Sequence, residues 1–295
     1  MEPDGNSPPR LYRLTPIADK HREESCRMIL SAAAEVPNGR AIVLGAGKCA
    51  EIPLIELALR FKTLMLNDIR PDLVRQAIDC CVLSPELRER IEIDDEDLTG
   101  LTEPVAAELA RELALPTSPE NAIGRMAQVL SRTPSNKSLE VVSYDLVVAS
   151  CLLTQLHTAA AGHGQRLFAG RFPDQEKELT ESDVWKDAVY ALARRMEADF
   201  MDRLTRLVAP GGRIFLSETV QVCFVQGTEQ GDWSTAGTFR MTRTRDLADY
   251  LDARFRIEAR GGWTWVISPP TKPGETGRAF DVQGLVLSLN AGTKV

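Results

Sequence analysis

The sequence predicts an α/β domain: a doubly wound, mainly parallel seven-stranded sheet that ends in an antiparallel hairpin. Three observations carry this. Short apolar runs alternate with segments of helical period, a Gly-Ala-Gly turn joins the first run to a helix, and two long apolar segments close the chain around a proline-rich linker.

The first residues, MEPDGNSPPR, have little to bury and are expected to be mobile until something docks on them. From Ile17 to Val36 the positions Cys26, Ile29, Leu30 and Ala33 recur at helical spacing until Pro37-Asn38-Gly39 stops the run, so residues 1–39 read as an N-terminal segment with a helical lid. The strand AIVLG then runs into Gly45-Ala46-Gly47 and a helix carrying Ile52, Leu54, Leu57 and Ala58. A second strand, Leu64 to Leu66, ends at Asn67-Asp68, and Pro71 opens the next helix, which reaches Leu83. The third strand, Arg90 to Ile93, enters the acidic string Asp94-Asp95-Glu96-Asp97, and residues 102–133 supply one or two helices. Those helices are open to use as a cap, a dimer contact or packing bulk. Tyr144 to Ala149, YDLVVA, is apolar almost throughout, as a strand buried on both faces should be. Residues 157–181, with several glycines and Pro173, read as an irregular insertion before a long helix from Ser182 to about Val208. The two insertions are taken as about 102–133 and 157–185. Pro210-Gly211-Gly212 turns into a fifth strand, Arg213 to Ser217, and Phe255–Ile267 and Ala279–Leu289 form the closing hairpin.

Composition narrows the function. The chain has 295 residues, 43% of them apolar, and 35 Lys plus Arg against 42 Asp plus Glu, for a net charge of −7. That balance repels a phosphate backbone, so nucleic acid is not expected as a partner. Apolar stretches are far shorter than the roughly 18 to 20 residues that span a bilayer, and no basic start precedes an apolar run, so neither membrane span nor secretory signal is read. Six cysteines lie mostly inside apolar segments without zinc spacing, which favours reduced thiols and a cytoplasmic location. With three histidines, no metal site is expected.

Strand, glycine turn and helix place backbone N–H groups where no side chain obstructs a ligand, which favours an anionic or nucleotide group. Asp68, about 20 residues beyond Gly47, stands where a carboxylate accepts the hydroxyl protons of a ribose. The acids Asp94 and Asp95 after strand three, the small residues Ser150-Cys151 after strand four, and the turn LVAPGGRIFLSE follow in order.

On AIVLGAGKC, LMLNDI, IEIDDEDL, YDLVVAS and LVAPGGRIFLSE, residues 40 to about 289 resemble the class I S-adenosylmethionine-dependent methyltransferases, whose sheet is Rossmann-like. The resemblance implies a methyltransferase domain over residues 40–295 and S-adenosyl-L-methionine as cofactor. It further implies that Gly45, Ala46 and Gly47 pass along the methionine part, Asp68 holds the ribose and Ile69 packs on the adenine. Asp94 would take the adenine amino group with the Asp95 backbone nearby, and Ser150 and Cys151 would lie under the sulfonium. Against the family's glycine-rich pattern, Leu44 precedes the first glycine and Cys49 replaces the third.

The acceptor is less patterned. No Asn/Asp-Pro-Pro-Tyr segment follows strand four, which argues against a nucleic-acid amino group, so the expected acceptor is an oxygen or nitrogen of a small molecule, with a protein or peptide side chain second. Candidate bases at the cofactor edge are His157, Glu218 and Tyr12, and Trp233, in a glycine-rich loop, is a candidate for stacking on substrate. Trp263 and Trp265 alternate on a strand and are read as packing, as is the Cys151 thiol. Two other classes compete: an NAD(P)-dependent oxidoreductase, for which no Tyr-x-x-x-Lys or His/Asp constellation is found, and a binding module of the same fold without turnover. Lys48 has no Walker spacing. A homodimer is left open.

Overall fold

Alternation along single strands builds two separate cores. In the strand Arg40–Leu44, Ala41 and Val43 enter one core while Ile42 and Leu44 enter the other. Leu146 and Val148 part from Val147 and Ala149 in the same way, and Phe215 parts from Ile214 and Leu216. A sheet with both faces apolar needs helices on both sides, and the chain supplies them.

The computed structural model describes residues 16–133, 142–227, 233–240 and 246–290. In chain order these form α1 (Pro16–Ala34), β1 (Arg40–Leu44), α2 (Leu54–Arg60), β2 (Thr63–Asn67), α3 (Pro71–Asp79), α4 (Pro85–Arg88) and β3 (Ile91–Asp94). There follow α5 (Thr102–Ala114), α6 (Pro119–Arg132), β4 (Tyr144–Ser150), α7 (Thr158–Arg171), α8 (Glu176–Glu181), α9 (Asp183–Leu207) and β5 (Val208–Gly227). The last strands are β6 (Trp233–Arg240), β7 (Phe255–Ser268) and β8 (Thr276–Leu289). One core lies between the sheet and α1, α2 and α3, the other beneath α5 to α9.

The sheet order is β3-β2-β1-β4-β5-β8-β7, parallel from β3 through β5, with β8 antiparallel to both β5 and β7. The doubly wound class and the antiparallel end agree with expectation, but there are eight strands rather than seven. β6 is the addition, pairing with the outer part of β5 from Gln221 to Gly227. The fifth strand, expected to stop at Ser217, runs for 20 residues because Cys223 and Val225, on one face, bury a small third core with Val266 and Ala279.

Residues 157–181, whose glycines read as irregular, are helical over most of their length. Gly164 serves close packing: a Cβ there would lie 2.9 Å from the Trp185 ring and 3.2 Å from Leu109 Cδ1, so α7 approaches its neighbours at that point as only glycine allows. Residues 102–133 resolve into two helices, and Ser118 and Ser182 cap α6 and α9 by accepting from the N–H groups of Asn121 and Trp185.

The helix expected as a lid is built into the core. Met28, Ile29, Ala32 and Ala33 of α1 are buried in the same cluster as Val43, Phe215 and Trp263. His21, 3% exposed, accepts from Trp263 Nε1 through its Nδ1 at 2.7 Å and stacks on Trp265 with ring centres 4.2 Å apart. Burial lowers its pKa from 6.5 to about 4. A histidine that resists protonation when folded supports the fold fully above its unfolded pKa, and that support is lost as pH falls from about 6.5 to about 4. We therefore expect the wild type to lose as much as about 3 kcal/mol across this window beyond what His21→Gln loses. Urea unfolding of both proteins at pH 7 and pH 4.5 checks this, and parallel losses would refute it.

Candidate functional site

A cleft of about 500 Å³ opens at the carboxyl ends of β1, β2 and β4, where the strand order reverses direction. Its floor is the turn after β1. Gly45 and Gly47 take left-handed φ values of 64° and 51°, and a Cβ on Gly45 would lie 2.7 Å from Leu152 Cδ1, so the turn is shaped for a backbone without side chains. Cys49 (φ 50°) and Cys151 (φ 49°) hold the same conformation without being glycine. At Cys49, where the resembled family carries its third glycine, the turn keeps its handedness despite the side chain.

The turn is tied to β2. Ala46 N–H donates to the Asn67 carbonyl at 2.9 Å, and Gly47 N–H donates to Asp68 Oδ2 at 2.7 Å. The other carboxylate oxygen of Asp68 accepts from Arg70 N–H at 2.8 Å. Asp68 is thus fixed across the cleft floor, with a second lone pair on each oxygen for a ligand. Ile69, 51% exposed, offers an apolar surface at the rim.

On the third-strand side the expected acids stand back from the cleft lining. Neither Asp94 nor Asp95 lines the cleft: Asp94 is engaged by Asn67 Nδ2 at 2.8 Å and Glu96 N–H at 3.1 Å, and Asp95 is exposed. Asp97, Leu98 and Thr99 line it instead. Burial pushes the Asp97 carboxyl up, but hydrogen bonds from Thr102 and Thr99 outweigh it and leave the group below the usual carboxylate range. The Leu98 carbonyl accepts from Arg203 of α9 at 2.8 Å, which anchors this loop to the second helical layer.

Ser150 and Cys151 line the far wall. The Ser150 and Ser217 hydroxyls lie 3.2 Å apart, Cys151 N–H donates to the Ser217 carbonyl at 2.9 Å, and the Cys151 carbonyl accepts from Gln155 Nε2 at 2.6 Å. Burial pushes the Cys151 thiol well above its ordinary value, so it stays protonated at neutral pH and packs rather than attacks.

The candidate bases do not gather here. Glu218 is fully buried and away from the cleft lining; its carboxylate accepts from Thr154 N–H (2.9 Å), Thr154 Oγ1 (2.8 Å), Thr219 N–H (2.8 Å) and Thr219 Oγ1 (3.1 Å). Burial raises its pKa against those hydrogen bonds. The geometry makes it a clamp between the middle of β5 and the loop after β4. His157 precedes α7 and does not line the cleft, although Leu156 and Thr158 do; burial lowers its pKa. Tyr12 lies outside the described residues. Trp233 begins β6 and is not in a loop, because its backbone pairs with Gly227. Its side chain lies outside what is described.

Two residues at the cleft escaped the sequence reading. Glu51 lines it, with burial raising its pKa above the ordinary carboxylate value. Trp265 also lines it, stacked on His21 behind and tilted against Phe280 at 5.8 Å, whereas Trp263 packs in the core as expected. Neither carried a spacing signal, since each reaches the cleft from a segment that reads as ordinary helix or strand. Among the described residues no group of three His, Cys, Asp or Glu side chains is placed to hold a metal ion, and no helix is long and apolar enough to cross a membrane.

No protein-family model matches the chain, and no curated protein does. Three solved structures are similar in shape. A SAM-dependent methyltransferase from Leishmania major is 14% identical, with 92% of this chain and 73% of that chain covered, at a TM-score of 0.39. A structure from Listeria monocytogenes, described as an S-adenosylmethionine dependent methyltransferase, is 10% identical over 92% of this chain and 99% of its own, at 0.42. The glycopeptide N-methyltransferase MtfA complexed with S-adenosylmethionine is 10% identical over 92% and 94%, at 0.36. At these identities and TM-scores the likeness carries no assignment, and the functional reading rests on the chain's own cleft.

Proposed function

We propose that the chain is an S-adenosylmethionine-dependent methyltransferase that methylates an oxygen or nitrogen of a small molecule. The observation that carries this is Asp68, held by the Gly47 and Arg70 N–H groups across a left-handed glycine turn at the point where the sheet reverses. A carboxylate fixed there accepts ribose hydroxyls, while Ile69 and Leu98 supply apolar walls for an adenine. Gly45 and Gly47 leave room for the amino-acid tail, and Ser150 and Cys151 lie under the sulfonium end. The cofactor supplies an electrophilic methyl group; this chain's part is to orient it and to exclude water. The antiparallel β8 between β5 and β7 supports this reading over an NAD(P)-dependent oxidoreductase. A net charge of −7 supports a small acceptor over nucleic acid, and six unpaired cysteines suit a reducing, cytoplasmic compartment.

Calorimetric titration with S-adenosylhomocysteine, NADH and ATP tests the cofactor. We expect micromolar binding of S-adenosylhomocysteine alone. Asp68→Ala should weaken it about 10- to 100-fold, the worth of hydrogen bonds to a charged acceptor. Binding of NADH in its place would overturn the proposal.

A further inference from the structure

We propose that Gln155 binds the methyl acceptor, its Oε1 receiving an N–H of an amine nitrogen; the proposal rests on the cofactor reading above. The wall beside Ser150 and Cys151, assigned to the reacting end, continues through Leu152 and Gln155 to Thr158 and Ala159. Leu152 Cδ1 would lie 2.7 Å from a Cβ on Gly45, so this wall abuts the glycine turn. Between residues 150 and 159 there is no Asp, Glu, Lys or Arg, and His157 does not line the cleft. The reacting end therefore has to be read from its neutral polar groups.

Gln155 is exposed at the cleft, and most of its polar groups are committed. Its backbone N–H donates to the Leu152 carbonyl at 2.9 Å, and its backbone carbonyl accepts from Thr158 Oγ1 at 2.7 Å. Its Nε2 donates to the Cys151 carbonyl at 2.6 Å. A carbonyl only accepts, so it selects the NH2 end of the carboxamide and leaves the oxygen pointing elsewhere. Among the described residues Oε1 has no hydrogen-bond partner. The carboxamide is also held in place. Leu153 and Leu156 are buried on either side of it in sequence, and Thr154 is clamped by Glu218 through both its N–H and its hydroxyl. Cys151 has a left-handed φ of 49°, unfavourable for a residue with a side chain, and is fixed by its N–H bond to the Ser217 carbonyl and by the Gln155 amide. A rigid, strained corner thus presents one uncommitted acceptor atom beside the reacting end.

That atom selects the chemistry. An amide oxygen accepts a hydrogen bond but takes no proton at neutral pH. The group it orients must attack before it loses its proton, which a neutral amine does and an alcohol, whose proton leaves as the bond forms, does not. The amine enters as its free base and donates one N–H to Gln155 Oε1. Its lone pair forms the new N–C bond as the C–S bond breaks, and the bonding pair stays on sulfur, which becomes a neutral thioether. The product is a methylated ammonium that gives its surplus proton to solvent. Gln155 contributes orientation of the lone pair toward the methyl carbon.

The test compares sinefungin with S-adenosylhomocysteine by calorimetry on the whole chain. Sinefungin has the same nucleoside and amino-acid ends but carries an amine where the transferred methyl sits, so it places N–H donors at the reacting end. We expect the wild type to bind sinefungin about tenfold more tightly, and Gln155→Leu, which removes the oxygen, to bring the ratio of the two affinities near one. Gln155→Lys keeps a donor for the Cys151 carbonyl but offers no acceptor, so its ratio should fall to one or below. Gln155→Glu keeps an oxygen and should hold the ratio at or above the wild-type value. General damage to the cleft would lower both affinities together and leave the ratio unmoved. A wild type without preference for sinefungin, or a Gln155→Leu protein that keeps the wild-type ratio, overturns the assignment. Should that variant fail to fold, an unchanged ratio in Gln155→Lys overturns it. Failure of the wild type to bind S-adenosylhomocysteine at all would instead remove the cofactor reading.

Discussion

Trp263→Ala is expected to lower the unfolding free energy by about 4 kcal/mol, measured by urea denaturation at pH 7. The indole is 5% exposed and belongs to the core under α1, beside Met28, Phe215 and Val282. Alanine removes most of that buried surface, and the rigid strands on either side cannot collapse into the gap. It also deletes the donor to His21 Nδ1, leaving a buried ring nitrogen without its partner. Because His21 backs Trp265, the variant should further change the fluorescence of the remaining indole at the cleft. Trp263→Phe keeps the packing and loses the hydrogen bond, so it should cost about 1 to 2 kcal/mol. A loss below about 1.5 kcal/mol in the alanine variant would show that the α1 seat contributes less than its burial implies.

Glu218→Ala should cost a similar amount, about 3 to 4 kcal/mol, by a different route. The carboxylate collects two backbone N–H groups and two hydroxyls. The Thr154 and Thr219 hydroxyls can turn to other acceptors, but their backbone amides cannot, and each buried donor left unpaired costs about 1 to 3 kcal/mol. Release of a desolvated charge offsets part of this. Since Thr154 belongs to the loop that carries Leu152 and Gln155 into the cleft, affinity for S-adenosylhomocysteine should fall together with stability. A variant that unfolds earlier yet binds as tightly as wild type would show that the clamp holds the fold without shaping the site.

The legible parts of this chain are those where one short segment contains its own reason. YDLVVA reads as a buried strand because both of its faces are apolar, and Asp68 is recognisable by its distance from the glycine turn. Where several segments must meet, the sequence is silent. Four acids in a row from the end of β3 offer no spacing that distinguishes Asp97 from Asp94, and only the folded loop brings Asp97 to the cleft while Asn67 occupies Asp94. Glu51 and Trp265 lie more than two hundred residues apart in the chain, yet both line the cleft, and α1, whose own pattern suggested a lid, packs in the core behind it. Gly164 of α7 imitates a loop residue because tight helix packing and loop flexibility call for the same residue. Beyond Ser217, the polar residues of VQVCFVQG hide a strand whose alternation serves a projecting ribbon and not the main core.

The place of β8 bears on how the protein is made. Ile214 and Leu216 of β5 lie beside Leu287 and Leu285 of β8, which are synthesised about 70 residues later. While the chain is being synthesised, β1 to β5 can assemble as a parallel half-sheet, but the β5 edge has an open row of backbone donors and acceptors until β8 slots between it and β7. β6 covers only the outer part of that strand. Nascent chains stalled before residue 276 therefore expose a long apolar edge, and the hazard of self-association falls on the interval between synthesis of the fifth strand and release of the eighth.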